Sequence, residues 1–140
     1  MKIVYYSLSG NTKRMAELIA EGIEAEGKRA ELVEVESVSA EEVAKEEIII
    51  LGCPSQGVEA LEEESMEPLV ESLEDKLKNK KVALFGSYGW GDGEWMRNWE
   101  ERMESCGASL IGEGLIVNEM PEDESEQLCI DFGKKIAASV

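Results

Sequence analysis

Two stretches, Ile48-Ile49-Ile50-Leu51 and Val82-Ala83-Leu84-Phe85, are apolar at every successive position. Alternation would mark a strand with one wet face. An unbroken apolar run of strand length needs cover on both sides, as in a parallel sheet sandwiched between helices. Shorter runs at residues 3–6, 32–35 and 115–117 bring the expected strands to five, separated by segments of helical period or helix-end chemistry. Residues 11–26 place Met15, Leu18, Ile19, Gly22 and Ile23 on one stripe, and Gly27 suits the stop. Met66, Leu69, Val70, Leu73 and Leu77 repeat the spacing, with Pro68 tolerable in a first turn. Trp95, Trp99, Met103 and Cys106 line a further helix ended by Gly107, and Leu128, Phe132 and Ile136 mark a last one over residues 125–138. The run at 32–35, with glutamates at 31, 34 and 36, reads as an exposed edge strand. Five parallel strands with helices on both faces make an α/β three-layer sandwich. The 140 residues fit one domain, 1–140, with no repeat or linker.

Charge and composition remove several functions. Lys and Arg total 14 against 31 Asp and Glu, a net charge of −17, which repels nucleic-acid phosphates and anionic lipid alike. Neither nucleic acid nor a membrane is expected as a partner. There is no histidine, so triad hydrolysis, imidazole-ligated metal and imidazole proton shuttling are all excluded. The three cysteines, Cys53, Cys106 and Cys129, contain no C-x-x-C pair and read as small apolar residues of a protein in the reducing cytoplasm. The chain opens directly on strand-like Ile3-Val4-Tyr5-Tyr6 and has no secretory or membrane-spanning apolar segment.

In an open parallel sheet, ligands sit beyond the carboxyl ends of the strands. The loops entering the strands carry ordinary solvated charge. Those leaving the first, third and fourth strands, residues 7–12, 53–59 and 87–93, are rich in glycine, hydroxyls and aromatics. Ser7, Ser9, Gly10, Asn11 and Thr12 lead into a helix, where converging N–H groups and the positive end of the helix dipole suit an anion without a cation. Ser9 or Asn11 acting only as a helix cap explains that loop alone equally well. The loop lacks both the G-x-x-x-x-G-K-[ST] and the G-x-G-x-x-G patterns, which disfavours ATP, GTP or NAD as resident ligand. Tyr88-Gly89-Trp90-Gly91 sets an indole between glycines, suited to stacking on a planar ligand. The alternative packs Trp90 on Trp95 or Trp99 as a lid over the core.

Together, residues 7–12, Leu51-Gly52-Cys53-Pro54, and the stretches 57–63, 82–95 and 115–121 resemble the short-chain flavodoxins of anaerobic, clostridial-type bacteria over nearly the whole chain. The resemblance implies a flavodoxin-like sandwich of strand order 2-1-3-4-5, with non-covalent FMN at the point where that order reverses, an arrangement already general for the class. It implies that Ser7, Leu8, Ser9, Gly10, Asn11 and Thr12 surround the phosphate. Pro54, Ser55, Gln56, Gly57, Val58, Ser87, Tyr88 and Gly91 would complete the envelope. Trp90 would cover one face of the isoalloxazine, Gly89 and Trp90 would offer backbone donors to its pyrimidine edge, and Glu59 would accept from flavin N3–H. The carbonyl of Gly57 would rotate toward flavin N5 on reduction. Gln56 stands where the family commonly has Met, Val58 where it has an acidic or small polar residue, and Leu8 where it has Gly.

The function so implied is that of a small acidic electron carrier, not an enzyme, passing low-potential electrons one at a time between redox enzymes. An FMN-dependent NAD(P)H:quinone reductase is the alternative, but no segment offers an evident nicotinamide pocket. A phosphoryl-accepting receiver domain shares the architecture, yet Tyr5-Tyr6-Ser7 and Cys53 lack its acidic residues. Glu59, Glu62, Glu63, Glu64, Asp92, Glu94, Glu119, Glu122, Asp123 and Glu124 are expected to rim the flavin edge. There they would disfavour added negative charge on the cofactor and steer basic surfaces of ferredoxin- or flavodoxin-dependent oxidoreductases and reductases. A monomer is expected.

Overall fold

A computed structural model describes residues 1–56 and 59–140. Strands β1 (Lys2–Tyr5), β2 (Glu31–Glu34), β3 (Ile48–Gly52), β4 (Lys81–Tyr88), β5 (Ser109–Leu110) and β6 (Leu115–Asn118) pair in parallel, in the order β2-β1-β3-β4-β5, with β6 also on β4. This is the expected order. The fifth position is divided: β5 pairs with Lys81 and Val82, β6 pairs with the far end of β4 from Phe85 to Tyr88, and Gly112 at φ 68° turns the chain between them.

The unbroken apolar runs are explained by a core on each side of the sheet. Ile3, Tyr5, Ile48, Ile50, Ala83 and Phe85 face one way, onto helices α1 (Asn11–Ala25) and α5 (Glu124–Ala138). Their neighbours Val4, Ile49, Leu51, Val82 and Leu84 face the other, onto α2 (Ala40–Ala44), α3 (Met66–Leu73) and α4 (Glu94–Ser105), which carry Val43, Met66, Leu69, Trp95 and Trp99. Successive side chains of a strand point to opposite faces, so a central strand between two helical layers has no position for a polar residue.

Local differences from the sequence expectations have local causes. Helix α3 stops at Leu73 and continues as a 3-10 turn over Glu74–Lys76, leaving Leu77 buried beyond its end. Val35 leaves the edge strand for a 3-10 turn and is buried there. Leu128 is 53% exposed, because the buried stripe of α5 runs through Cys129, Phe132, Gly133 and Ile136 instead. Helix α2 is an addition to the expected elements, closed by a full capping box in which Ser39 and Glu42 each bond the other's backbone amide. No helix of the described residues is long and apolar enough to cross a membrane.

Helices α1 and α5 approach through two glycines. A Cβ on Gly22 would run into the carbonyl of Ile130, and one on Gly133 into the carbonyl of Ile19. Backbone cannot rotate away as a side chain can, so overpacking there costs about 1–3 kcal/mol, against roughly 1 kcal/mol of helix propensity gained by alanine. Gly133→Ala should therefore lower the urea midpoint with an unchanged denaturant slope. An equal or raised midpoint would contradict the close crossing.

Candidate functional site

The first and fourth strands deliver their chains into a cleft of about 590 Å3 at the carboxyl edge of the sheet. Its floor is set by the strand ladder, which outlasts the strands: Cys53 N donates to Phe85 O at 3.0 Å and Ser55 N to Ser87 O at 3.0 Å. Ser7, Leu8, Ser9, Asn11 and Thr12 line it from the turn into α1; Pro54, Ser55 and Gln56 from the loop after β3; Ser87, Tyr88 and Gly89 from the end of β4. A fourth wall brings in the expected Glu119 and Glu122 together with Asn118 and Met120, which the sequence did not single out. Asn118, Glu119, Met120 and Glu122, after β6, close the cleft, with Asn118 Nδ2 and Glu119 N both donating to Tyr88 O at 3.2 and 2.8 Å. The signal was present, because this loop too leaves a strand at its carboxyl end.

The turn into α1 differs from a side-chain cap. Gly10 is the N-cap, at φ 97°, and neither Ser9 nor Asn11 caps the helix. The Ser7 hydroxyl instead accepts from Gly10 N at 3.2 Å and Lys13 N at 3.1 Å. The amides of Asn11 and Thr12, at the first two helical positions, have no intrahelical acceptor. Thr12 and Ser87 are both buried, their hydroxyls 2.7 Å apart. Among the described residues no Lys or Arg lines the cleft; Arg14 is paired with Glu17 and Glu126 at 3.3 and 3.5 Å.

Trp90 is 67% exposed, whereas Trp95 and Trp99 are buried, so it is not a lid on them. The buried Trp95 is fixed by its Nε1–H, which donates to Cys53 O at 3.2 Å, and by a tilted contact with Tyr88 at 5.9 Å. The cleft lining ends at Gly89 and does not include Trp90, while Leu8 and Met120, both exposed, are its apolar lips. Gln56 separates the cleft from a second cavity lined by Tyr6, Ala60 and Leu61, and it bonds Ala60 in both directions at 2.9 Å. Gly57 and Val58 lie outside the described residues. Gly91, at φ 90°, backs onto the Glu59 side chain.

The acidic residues divide. Glu119 and Glu122 line the cleft, and Glu59 lies beside the Trp90 loop with its Oε1 accepting from Gly93 N at 3.2 Å and Glu94 N at 3.1 Å, so it caps α4 from outside. Glu62 does not join the rim. It is buried, and its carboxylate accepts from Glu64 N at 2.7 Å, Ser65 N at 2.9 Å, Met66 N at 2.9 Å and the Ser65 hydroxyl, closing the start of α3. Burial pushes its carboxyl up, but these donors outweigh that and hold it below the usual glutamate range. Burial pushes the Cys53 thiol up to about 12, so it is a protonated apolar neighbour and not a nucleophile.

The Flavodoxin family model matches residues 3–133. The chain is 55% identical over 137 residues to the flavodoxin of Clostridium beijerinckii, covering 98% of this chain and 99% of that one. It is 47% identical over 137 residues to the flavodoxin of Megasphaera elsdenii, covering 98% of each. The solution structure of the two-electron reduced Megasphaera elsdenii flavodoxin superposes with a TM-score of 0.89 at 45% identity, covering 98% of both chains. The chain belongs to the flavodoxin family. Flavodoxins bind FMN, act with redox partners, and are electron carriers rather than enzymes; the flavodoxin described here is an FMN-binding electron-transfer protein of the short-chain clostridial type. The quinone-reductase alternative is not favoured.

Glu62 gives this flavodoxin an acid-labile joint. A carboxyl whose native pKa is lowered adds stability above its unfolded value, and that stability is lost as pH falls through the native value. Glu62→Gln should lose about 1–2 kcal/mol of stability at pH 7 through weaker capping of α3. Its stability should fall less than wild type between about pH 5 and pH 2. Chemical denaturation across that range measures both, and parallel acid limbs would remove the assignment.

Proposed function

We propose that residues 1–140 act as one FMN-binding unit in which the cleft between the α1 turn, the loop after β3, the end of β4 and the loop after β6 takes the phosphate and ribityl chain, with Trp90 stacking on the flavin ring. The observation that carries this reading is the neutral donor set of the cleft, centred on the start of α1. Ser7, Ser9, Asn11, Thr12 and Ser55 supply hydroxyls and an amide, and the amides of Asn11 and Thr12 add the positive end of a 15-residue helix, with no cation among the cleft residues. Such a set fits a phosphate. Glu119 and Glu122 also line the cleft and disfavour an anion beside them, whereas the start of α1 attracts one, which favours the α1 turn for the head group.

When bound, FMN supplies one-electron chemistry. The protein's part is to bind and orient it. Ser7 holds the turn, so that the first-turn amides are aimed before the ligand arrives. Trp90, exposed and flanked by Gly89 and Gly91, offers an indole face to a planar ring and two main-chain donors beside it. Glu59 is held at one carboxylate oxygen by α4, which leaves Oε2 for a ring N–H donor. Pro54, Ser55 and Gln56 would cover the inner side. Gly57 and Val58 are assigned to the same loop on the resemblance alone.

The net charge of −17 and the carboxylates of Glu63, Glu64, Asp92, Glu94, Glu119 and Asp123 support docking to basic surfaces of ferredoxin- and flavodoxin-dependent oxidoreductases and reductases. The three free thiols support a reducing, cytoplasmic setting, and a solvated acidic surface supports a monomer.

FMN titrated into the apoprotein, followed by tryptophan fluorescence, should saturate at one per chain with a sub-micromolar dissociation constant, and Trp90→Ala should weaken it about tenfold, or ~1.4 kcal/mol. No binding at micromolar FMN would overturn the reading. Electron transfer from the reduced holoprotein to a basic haem protein should slow steeply as ionic strength rises from about 0.01 to 0.5 M, where the screening length shrinks from ~30 Å to a few Å. A salt-independent rate would remove the docking surface.

A further inference from the structure

We propose that Ser87 is a positioning residue that acts through Thr12: its amide and hydroxyl hold the Thr12 oxygen so that the Thr12 proton is turned into the cleft toward the anionic head group. This rests on the reading that the cleft takes FMN. Thr12, the second residue of α1, and Ser87, near the end of β4, are 1% and 4% exposed and both line the cleft. Their hydroxyl oxygens are 2.7 Å apart, and Ser87 N donates to Thr12 Oγ1 at 3.4 Å. The resemblance implies direct contact between Ser87 and the cofactor; a Ser87 proton given to Thr12 is not available for that contact.

A threonine hydroxyl has one proton and two lone pairs. The Ser87 amide can only donate, so one lone pair of Thr12 is always directed at it. With the Ser87 hydroxyl donating as well, both lone pairs are filled and the Thr12 proton has only the cleft as outlet. The reverse order turns the Ser87 proton outward and leaves Thr12 without a donor to offer. A negative charge beyond the first turn of α1 favours the first order, because Thr12 and not Ser87 belongs to that turn. Two donors converging on the Thr12 oxygen also polarise its O–H bond, which strengthens the hydrogen bond it makes in turn.

Riboflavin lacks the phosphate and so separates a head-group effect from a ring or ribityl effect. FMN and riboflavin are titrated into full-length apoprotein, with thermal melts as the folding control. Ser87→Ala should weaken FMN about tenfold and riboflavin less than about twofold, the size expected for one hydrogen bond to a charged group. Thr12→Val should show the same selective loss, and adding Ser87→Ala to it should cost less than a further twofold or so, because the two residues act in series. If Thr12→Val does not fold, Thr12→Ser takes its place: it keeps the hydroxyl, so FMN affinity should stay within about twofold of wild type and still fall about tenfold with Ser87→Ala. Equal losses for FMN and riboflavin, multiplicative losses in the Thr12→Val double variant, or a tenfold loss from Thr12→Ser alone would overturn the relay. Wild-type apoprotein that binds riboflavin as tightly as FMN overturns the relay while sparing the flavin site. Apoprotein that binds neither overturns the reading of the cleft and the relay with it.

Discussion

The cleft depends on the Ser7 hydroxyl, which accepts from the amides of Gly10 and Lys13 and so fixes how the chain turns from β1 into α1. A serine or aspartate at the N-cap itself would satisfy the second or third helical amide with its own side chain and occupy the mouth of the helix. Gly10 has no side chain, and its φ of 97° is one that side-chain-bearing residues rarely adopt. The cap is displaced three residues back, and the outer face of the first turn remains for something else. Anchoring from behind reconciles a well-formed helix start with donors that are still available.

That arrangement matters because the charge of the molecule works against an anion everywhere else. A lysine in the cleft would face Glu119 and Glu122, and the resulting ion pair would compete with the ligand for the same cation. Hydroxyls and amides have no such rival. They bind only over hydrogen-bond distance, so on the proposed reading a phosphate could be held while the long-range field of the molecule stays negative. Of the two basic residues at the start of α1, Arg14 is taken up by Glu17 and Glu126, and Lys13 does not line the cleft.

The sandwich was legible because its evidence is dense: runs such as Ile48-Ile49-Ile50-Leu51 allow few arrangements, and the helical stripes are long. The site was legible as three loops, since glycines and hydroxyls cluster after three strands. Asn118 and Met120 were missed because the loop after β6 carries no glycine cluster, and its role comes from the parallel pairing of β6 with β4. The division of the fifth strand was illegible for a related reason: a two-residue strand such as Ser109–Leu110 has no period to detect. Ser9 and Asn11 were reasonable caps by residue type, but capping is decided by the left-handed backbone of Gly10 between them and by the Ser7 hydroxyl three residues before it, which composition does not carry. Leu128 shows the limit of helical spacing, since Leu128 and Cys129 are both compatible with Phe132 and Ile136, and only the crossing with α1 chooses between them.

The glutamates show the same limit at the level of charge. A count of acidic residues after the third strand treats Glu59, Glu62, Glu63 and Glu64 as one solvated rim. Glu62 instead turns inward and closes α3 with four hydrogen bonds, and Glu59 reaches across to close α4 with two. Glu59 therefore ties the loop after β3 to the base of the Trp90 loop, and Gly91 leaves room for its carboxylate to lie there. Trp90 itself has no comparable tie among the described residues and remains 67% exposed. The base of the Trp90 loop is thus fixed to the helical layer while the indole itself stays exposed, free to settle on whatever ring is presented. Such a division suits a carrier that must hold its cofactor firmly at the phosphate and keep the other end close to solvent and to a partner's surface.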